Sequence, residues 1–149
     1  MKLKVAWIGK TKEPAMQSLT DEYLRRLAHY AEAEGVALKD EAALLQLGRG
    51  SASRSRTKPV LILLDGRCKE MTSEELAKFL GDHQERNPAP LLFAIGPANG
   101  FREETRQAAT MLLSLGRVTI AHELARVVLL EQLYRAFTIL KKHPYHLAH

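Results

Sequence analysis

Two runs, Val60–Leu64 (VLILL) and Leu91–Ile95 (LLFAI), contain no polar side chain. A strand that is apolar on both faces must be covered on both, the condition of an interior strand in a parallel sheet flanked by helices. Around these runs, extended and helical patterns alternate. Lys2–Gly9 (KLKVAWIG) alternates and ends in glycine, as a strand does. From Pro14 to Tyr30, the residues Met16, Leu19, Tyr23, Leu27 and Tyr30 recur at helical spacing. Residues 35–39 read as a weaker strand and 40–47 as a short helix closing at Gly48. Thr72-Ser73-Glu74-Glu75 has the form of a capping box, opening a helix to about Leu80, and Asn87-Pro88-Ala89-Pro90 breaks the pattern before Leu91. Further on, the pattern predicts a helix from about Arg102 to Leu113 and a short strand over Arg117–Ile120. A last helix is expected from about Glu123 to Lys142, stopped by Pro144. Such alternation predicts an α/β sandwich on a mainly parallel sheet, a single domain over residues 1–149.

The bulk chemistry narrows the class. No apolar run approaches the roughly 20 residues of a membrane-spanning helix. The basic, alternating N-terminus reads as a first strand rather than a signal peptide, so a cytoplasmic location is expected. A single cysteine, Cys68, cannot form an internal disulfide, which agrees. The net charge of +5 permits a nucleic-acid partner without requiring one. Its distribution is uneven: residues 48–58 (GRGSASRSRTK) carry four basic residues and no acid, and read as a loop. Metal binding is not expected, because His143 and His146 flank Pro144 with no Cys or acidic ligand close in sequence. His122 reads as a capping or solvent-facing histidine, and Cys68 has no local triad signature.

Two further features point toward function. The last helix carries Leu124, Val127, Val128, Leu129, Leu130, Leu133, Tyr134, Phe137, Ile139 and Leu140, more than one apolar stripe. One face for the sheet and one for a second subunit would account for that breadth, so a homodimer is expected. Ligands of parallel α/β sheets bind beyond the carboxyl ends of the strands. Three segments end there: LLDGRCKEMTSEE, FAIGPANG and GRVTIAHE. The Gly96–Gly100 turn lacks the Lys-Ser/Thr of a phosphate loop and does not match Gly-x-Gly-x-x-Gly. Read alone it is an ordinary strand-to-helix connection; as a site it suits a neutral or cationic, partly flat ligand.

Taken together these segments resemble a family. Ile8-Gly9-Lys10 with EYLRRL (Glu22–Leu27), LLDGRCKEMTSEELA (Leu63–Ala77), FAIGPANG, VTIAHELARVVLLEQLYRAFTI (Val118–Ile139) and HPYH (His143–His146) occur in the order found in small bacterial SPOUT-class methyltransferases. Those enzymes methylate N3 of a pseudouridine in 23S ribosomal RNA. The chain departs from the family pattern at Cys68, Pro97 and Ala121, is shorter around 41–58, and continues past Tyr-His to His149.

The resemblance implies a C-terminal trefoil knot, S-adenosyl-L-methionine as methyl donor, and a homodimer in which the tail of one subunit approaches the cofactor of the other. It implies that Leu64, Gly96 and the stretch Leu115, Gly116, Arg117, Val118, Thr119 and Ile120 hold the cofactor. Tyr145 and His146 would line the acceptor pocket, with Arg135 beside them at the catalytic site, and Arg135 and Arg126 would contact RNA phosphate or orient the tail. The alternative for either arginine is an ion pair with Glu131. The 23S RNA within an assembled ribosome is the implied partner. A dimeric RNA-binding module without activity, or a SPOUT enzyme acting on another RNA position, are the competing readings.

Overall fold

The structure, a computed structural model, describes residues 1–50 and 58–147. Most of the basic loop expected at 48–58 therefore lies outside the described residues, as do the side chains of Cys68 and His146. Five strands, β1 (Lys2–Ile8), β2 (Glu32–Leu38), β3 (Val60–Glu70), β4 (Leu91–Ile95) and β5 (Met111–Ser114), form one sheet. Their order is β2-β1-β4-β3-β5 and every pairing is parallel. Five helices connect or follow them: α1 (Pro14–Leu27), α2 (Glu41–Arg49), α3 (Ser73–Arg86), α4 (Glu103–Ala108) and α5 (His122–Leu140). A short 3-10 turn, Pro144–Leu147, ends the described chain.

The pleat divides the apolar residues between two layers. Leu3, Val5, Trp7, Ile62, Leu91, Phe93 and Ile95 face α1, α3 and α5 in the larger core. Their neighbours Ala6, Leu61, Leu63, Leu92 and Ala94 point the other way, onto Leu44 of α2 and onto Phe101. All five residues of β4 are buried, as its composition required. The connections follow the same division. β1→β2 and β3→β4 step toward one edge of the sheet and carry α1 and α3 on one face; β2→β3 and β4→β5 step back and carry α2 and α4 on the other. Right-handed crossovers demand that pairing of direction with face.

Local signals hold in detail at several points. Thr72 accepts from Glu75 N–H and Glu75 accepts from Thr72 N–H, each at 3.0 Å, so both halves of the capping box are made. That helix runs past Leu80 to Arg86. Asp40 caps α2 by accepting from Ala43 N–H at 2.9 Å.

Three expectations are corrected. The helix beginning near Arg102 stops at Ala108, and Met111–Ser114 is the fifth strand, entered as Thr110 N–H donates to Leu61 C=O at 2.8 Å. A short apolar run is compatible with helix or strand until a partner is known, and here β3 supplied the partner. The strand expected at Arg117–Ile120 is absent: those residues form an open loop, and Arg117, Val118 and Thr119 are exposed. Finally, most of the apolar breadth of α5 is covered inside one chain, although Leu124 stays 42% exposed. Leu129, Leu130, Leu133, Ala136 and Phe137 pack in the larger core, with α1 on one flank and α3 on the other. The helix is laid between two helices over the sheet, so its second stripe does not by itself call for a subunit partner.

Candidate functional site

The carboxyl ends of β3, β4 and β5 converge on a cavity of about 620 Å³, within the range of pockets that hold a drug-sized molecule. Its walls come from three segments. The first is Leu64, Asp65 and Gly66. Leu64 pairs with Leu113, and the ladder resumes only when Lys69 pairs with the same Leu113, so residues 65–68 bulge from the sheet edge over the cavity. The second is Ile95, Gly96, Pro97, Ala98, Gly100 and Phe101; the third is Leu115 to His122 with Ala125, where the chain passes from β5 into α5.

Gly96 is buried, and the space a Cβ would take is filled by the ring of Phe101 at 3.1 Å. That glycine is thus bare first of all for a side chain of its own protein, which lets the turn fold back tightly. Gly100, at φ +85°, closes the turn as its N–H donates to Pro97 C=O at 2.9 Å. Across the cavity, Gly116 at φ +135° is tied to Ser114: its N–H donates to Ser114 Oγ at 3.1 Å, and that hydroxyl donates to Gly116 C=O at 2.8 Å. Beyond this clasp, no hydrogen bond within the chain engages the backbone of residues 117–120 among the described residues. Backbone N–H and C=O groups must be satisfied somewhere, and these lie at the cavity wall.

All eight residues expected to hold a cofactor line this cavity: Leu64, Gly96, Leu115, Gly116, Arg117, Val118, Thr119 and Ile120. The walls are mostly uncharged, but sequence reasoning missed Asp65. Its side chain is only 8% exposed and pairs with Arg106 of α4, which is itself 17% exposed. The signal was present, since Asp65 directly follows Leu64 at the strand end. Its partner stands 41 positions away, however, and only the fold brings it there.

Tyr145 and Arg135, expected to act on the acceptor, stand elsewhere. Tyr145 packs edge-on against Tyr134, ring centroids 4.8 Å apart, and its hydroxyl donates to Glu131 Oε2 at 3.1 Å. Arg135 pairs with the same carboxylate at 2.9 Å, the ion pair weighed as its alternative role, and its guanidinium lies over the Tyr145 ring at 5.2 Å. Burial, hydrogen bonding with Tyr23 and the Glu131 charge push the Tyr145 phenol well above its ordinary pKa. Glu131 and Tyr134 follow Ala125, the last wall residue on α5, by six and nine positions, or roughly 9–14 Å along the helix at 1.5 Å per residue. Neither Tyr145 nor Arg135 lines the cavity of its own chain.

Arg126 is a correction. It is 1% exposed, buried between α5, α1 and β1, with its Nε donating to Thr20 Oγ1 at 3.1 Å and its guanidinium 4.2 Å from the Trp7 ring centroid. A phosphate cannot reach it. Desolvation holds its pKa below the ordinary arginine value, and its Nη2 has no hydrogen-bond partner. Helical periodicity placed Arg126 beside buried Val127, and the length of an arginine stem disguised which way its head would turn.

No group of three or more potential metal ligands gathers among the described residues, and no helix there is long and apolar enough to cross a membrane. Residues 1–146 match the family model described as "Predicted SPOUT methyltransferase". Curated relatives named ribosomal RNA large subunit methyltransferase H align over nearly the whole chain. That of Koribacter versatilis is 56% identical over 149 residues, covering 100% of both chains. Those of Geobacter sulfurreducens and Gloeobacter violaceus are 41% and 40% identical over 152 residues, covering 98% of this chain and 99% of theirs.

Proposed function

The chain belongs to the SPOUT methyltransferases, and from that membership we propose that it transfers a methyl group from S-adenosyl-L-methionine to N3 of a pseudouridine in 23S ribosomal RNA. Its relatives' names point to a large-subunit RNA substrate. A ribosomal substrate puts its site of action in the cytoplasm. The observation that carries the cofactor reading is the cavity at the ends of β3, β4 and β5, walled by the bare turn and by a loop whose backbone groups find no partner among the described residues.

A sulfonium nucleoside fits such a wall. Leu64, Gly96 and Leu115–Ile120 would hold it, apolar side chains against the base and backbone N–H and C=O groups against its edge. When bound, S-adenosylmethionine supplies an electrophilic methyl group on a sulfonium sulfur. The protein's share of the work is then positioning, which can be worth effective molarities on the order of 10⁵ M or more. We read the C-terminal part, from β5 through α5, as the threaded segment of a trefoil knot that brings loop 115–121 against the β4 turn.

Tyr145, His146 and Arg135 remain the acceptor-side residues in this reading. Tyr145 and Arg135 do not reach the cavity of their own chain, so the tail serves the cavity of a second protomer. Val118, 74% exposed at the cavity wall, with exposed Leu19 on α1 and Leu124 on α5, offers apolar surface for that protomer to cover. The acceptor N3 carries a proton that must leave. With its phenol held protonated, Tyr145 acts as a hydrogen-bond donor and leaves that proton to another group or to water.

Mixed dimers test the composite site. Deleting residues 145–149 should abolish methylation of large ribosomal subunits while leaving calorimetric cofactor affinity largely intact. A bulky substitution at Gly96 should abolish cofactor binding. Co-expressing the two defective chains should restore part of the activity, because one protomer supplies the cavity and the other the tail. No restoration would sink the two-chain site, and no cofactor binding by the intact protein at millimolar concentration would sink the enzyme reading.

A further inference from the structure

The segment that follows β4 leaves toward α4, on the opposite face from the helices that follow both of its sheet neighbours: β1 leads to α1 and β3 to α3. Crevices open at the carboxyl ends of strands whose connections depart to opposite faces. The β4 turn should therefore have a crevice on each side, and it does. The cavity already described lies toward β3. A second, of about 350 Å³, lies toward β1, and shares with the first only Pro97, Gly100 and Phe101 of the turn itself.

We propose that this second cavity is a nucleotide subsite, which seats a base of the RNA strand flanking the acceptor and binds its phosphate on Lys39 and Arg102. This rests on the RNA methyltransferase reading and extends it to a substrate contact outside the cofactor pocket. The floor is apolar, from Ile8, Pro97 and Phe101, and the rim is polar, from Lys39, Asn99 and Arg102. Two carboxylates also line it, exposed Asp40 and nearly buried Glu41, and each is engaged within the chain. Asp40 caps α2. Glu41, whose side chain is only 10% exposed, accepts from Arg102 N–H at 2.9 Å and from Thr105 Oγ1 at 2.7 Å, fixing the start of α4.

The cations are left outward. Lys39 has no ion-pair or hydrogen-bond partner among the described residues. The Arg102 side chain is 81% exposed, and its contact with Glu41 is long, 3.8 Å. Lys10, exposed and likewise without a partner among the described residues, adjoins Lys39, because Gly9 N–H donates to Leu38 C=O at 2.8 Å. At the turn tip Asn99 makes no hydrogen bond within the chain among the described residues, although turn asparagines commonly bond their own backbone. Its amide offers donors and an acceptor together, what a base edge needs, while the lysine and arginine offer what a phosphate needs. Because Pro97–Phe101 walls both cavities, a base seated in the second would place the adjoining nucleotide at the mouth of the first.

Three variants, Lys39→Ala, Arg102→Ala and Asn99→Ala, test this on the full-length protein with large ribosomal subunits lacking the modification. Binding is titrated against salt, methylation kinetics are measured, and cofactor affinity and thermal midpoint serve as controls. Each lost phosphate contact should lower the steepness of log K against log salt by about 1, so Lys39→Ala and Arg102→Ala should each do so. Asn99→Ala should raise KM for the subunit by about three- to tenfold, the effect of one lost hydrogen bond, with kcat and cofactor affinity unchanged. Unchanged salt slopes and KM in all three variants would overturn the subsite. If the wild type binds subunits but transfers no methyl group, the enzyme reading falls instead, and the slopes still decide the subsite.

Discussion

Arg126 is a buried charge with one hydrogen bond, one aromatic face and the more distant charges of Glu123 and Asp21 for company, and its substitution separates what volume contributes from what charge contributes. In favour of the guanidinium stand the bond to Thr20 at 3.1 Å, about 1.5–3 kcal/mol for a charged donor, and the Trp7 ring at 4.2 Å, up to about 2 kcal/mol when desolvated. Against it stand the orphaned Nη2, about 1–3 kcal/mol, and desolvation of the ion, several kcal/mol. The opposing contributions are of similar size. Arg126→Met keeps the unbranched apolar stem as far as the position of Nε and removes the charged head. It does not strand Thr20, whose hydroxyl still donates to Met16 C=O at 2.7 Å. We therefore expect Arg126→Met to lie within about 1 kcal/mol of wild type. Arg126→Ala, which empties the site, should lose about 2–4 kcal/mol. By thermal or urea denaturation, the methionine variant should move Tm by no more than about 4 °C and the alanine variant should lower it by roughly 4–16 °C. A methionine variant as unstable as the alanine variant would refute the reasoning, because the polar contacts rather than the volume would then be holding α5 to α1. The salt dependence of RNA binding should be the same in Arg126→Met and wild type, since the residue is out of reach of phosphate.

Gly35→Ala should destabilise the protein by roughly 1–3 kcal/mol in urea: a Cβ there would stand 2.8 Å from the Trp7 ring, which is buried and cannot swing aside. Glu123 accepts from Lys12 and Glu13 N–H at 3.1–3.3 Å, and the Lys12 bonds above all hold its carboxyl below the ordinary glutamate range, against an opposing desolvation that outweighs the Glu13 bond alone. A carboxyl whose pKa is lower in the folded state contributes stability above its unfolded pKa, about 4.3, which is lost as pH falls through the folded value. Glu123→Gln should therefore be less stable than wild type at neutral pH, with the gap closing below about pH 4; an equal gap at pH 3 and pH 7 would show that its charge is irrelevant.

Much of the fold was legible because the sequence carries it locally. VLILL and LLFAI cannot be stable exposed on either face, so they announced interior parallel strands wherever the other elements fell. Thr72 and Glu75 satisfy each other within one helical turn. The candidate cofactor wall was reached by resemblance, since the residues 64, 96 and 115–120 have no common local pattern. They share a cavity only because β4 lies between β1 and β3 and β5 lies outside β3.

What the chain could not announce were outcomes decided between distant segments. Met111–Ser114 became a strand because the β3 edge was open to it, whereas Arg117–Ile120 pairs with no strand. The second apolar stripe of α5 pointed to a subunit interface, and the packing of α1 and α3 covers most of it within the chain. Arg126 and Asp65 looked alike as charges in a sequence; tertiary structure sank one beneath a tryptophan and tied the other to Arg106 at the cavity wall. Periodicity records which side of an element is apolar, and it is silent on what covers that side, because burial is a property of pairs of surfaces and a sequence lists them one at a time.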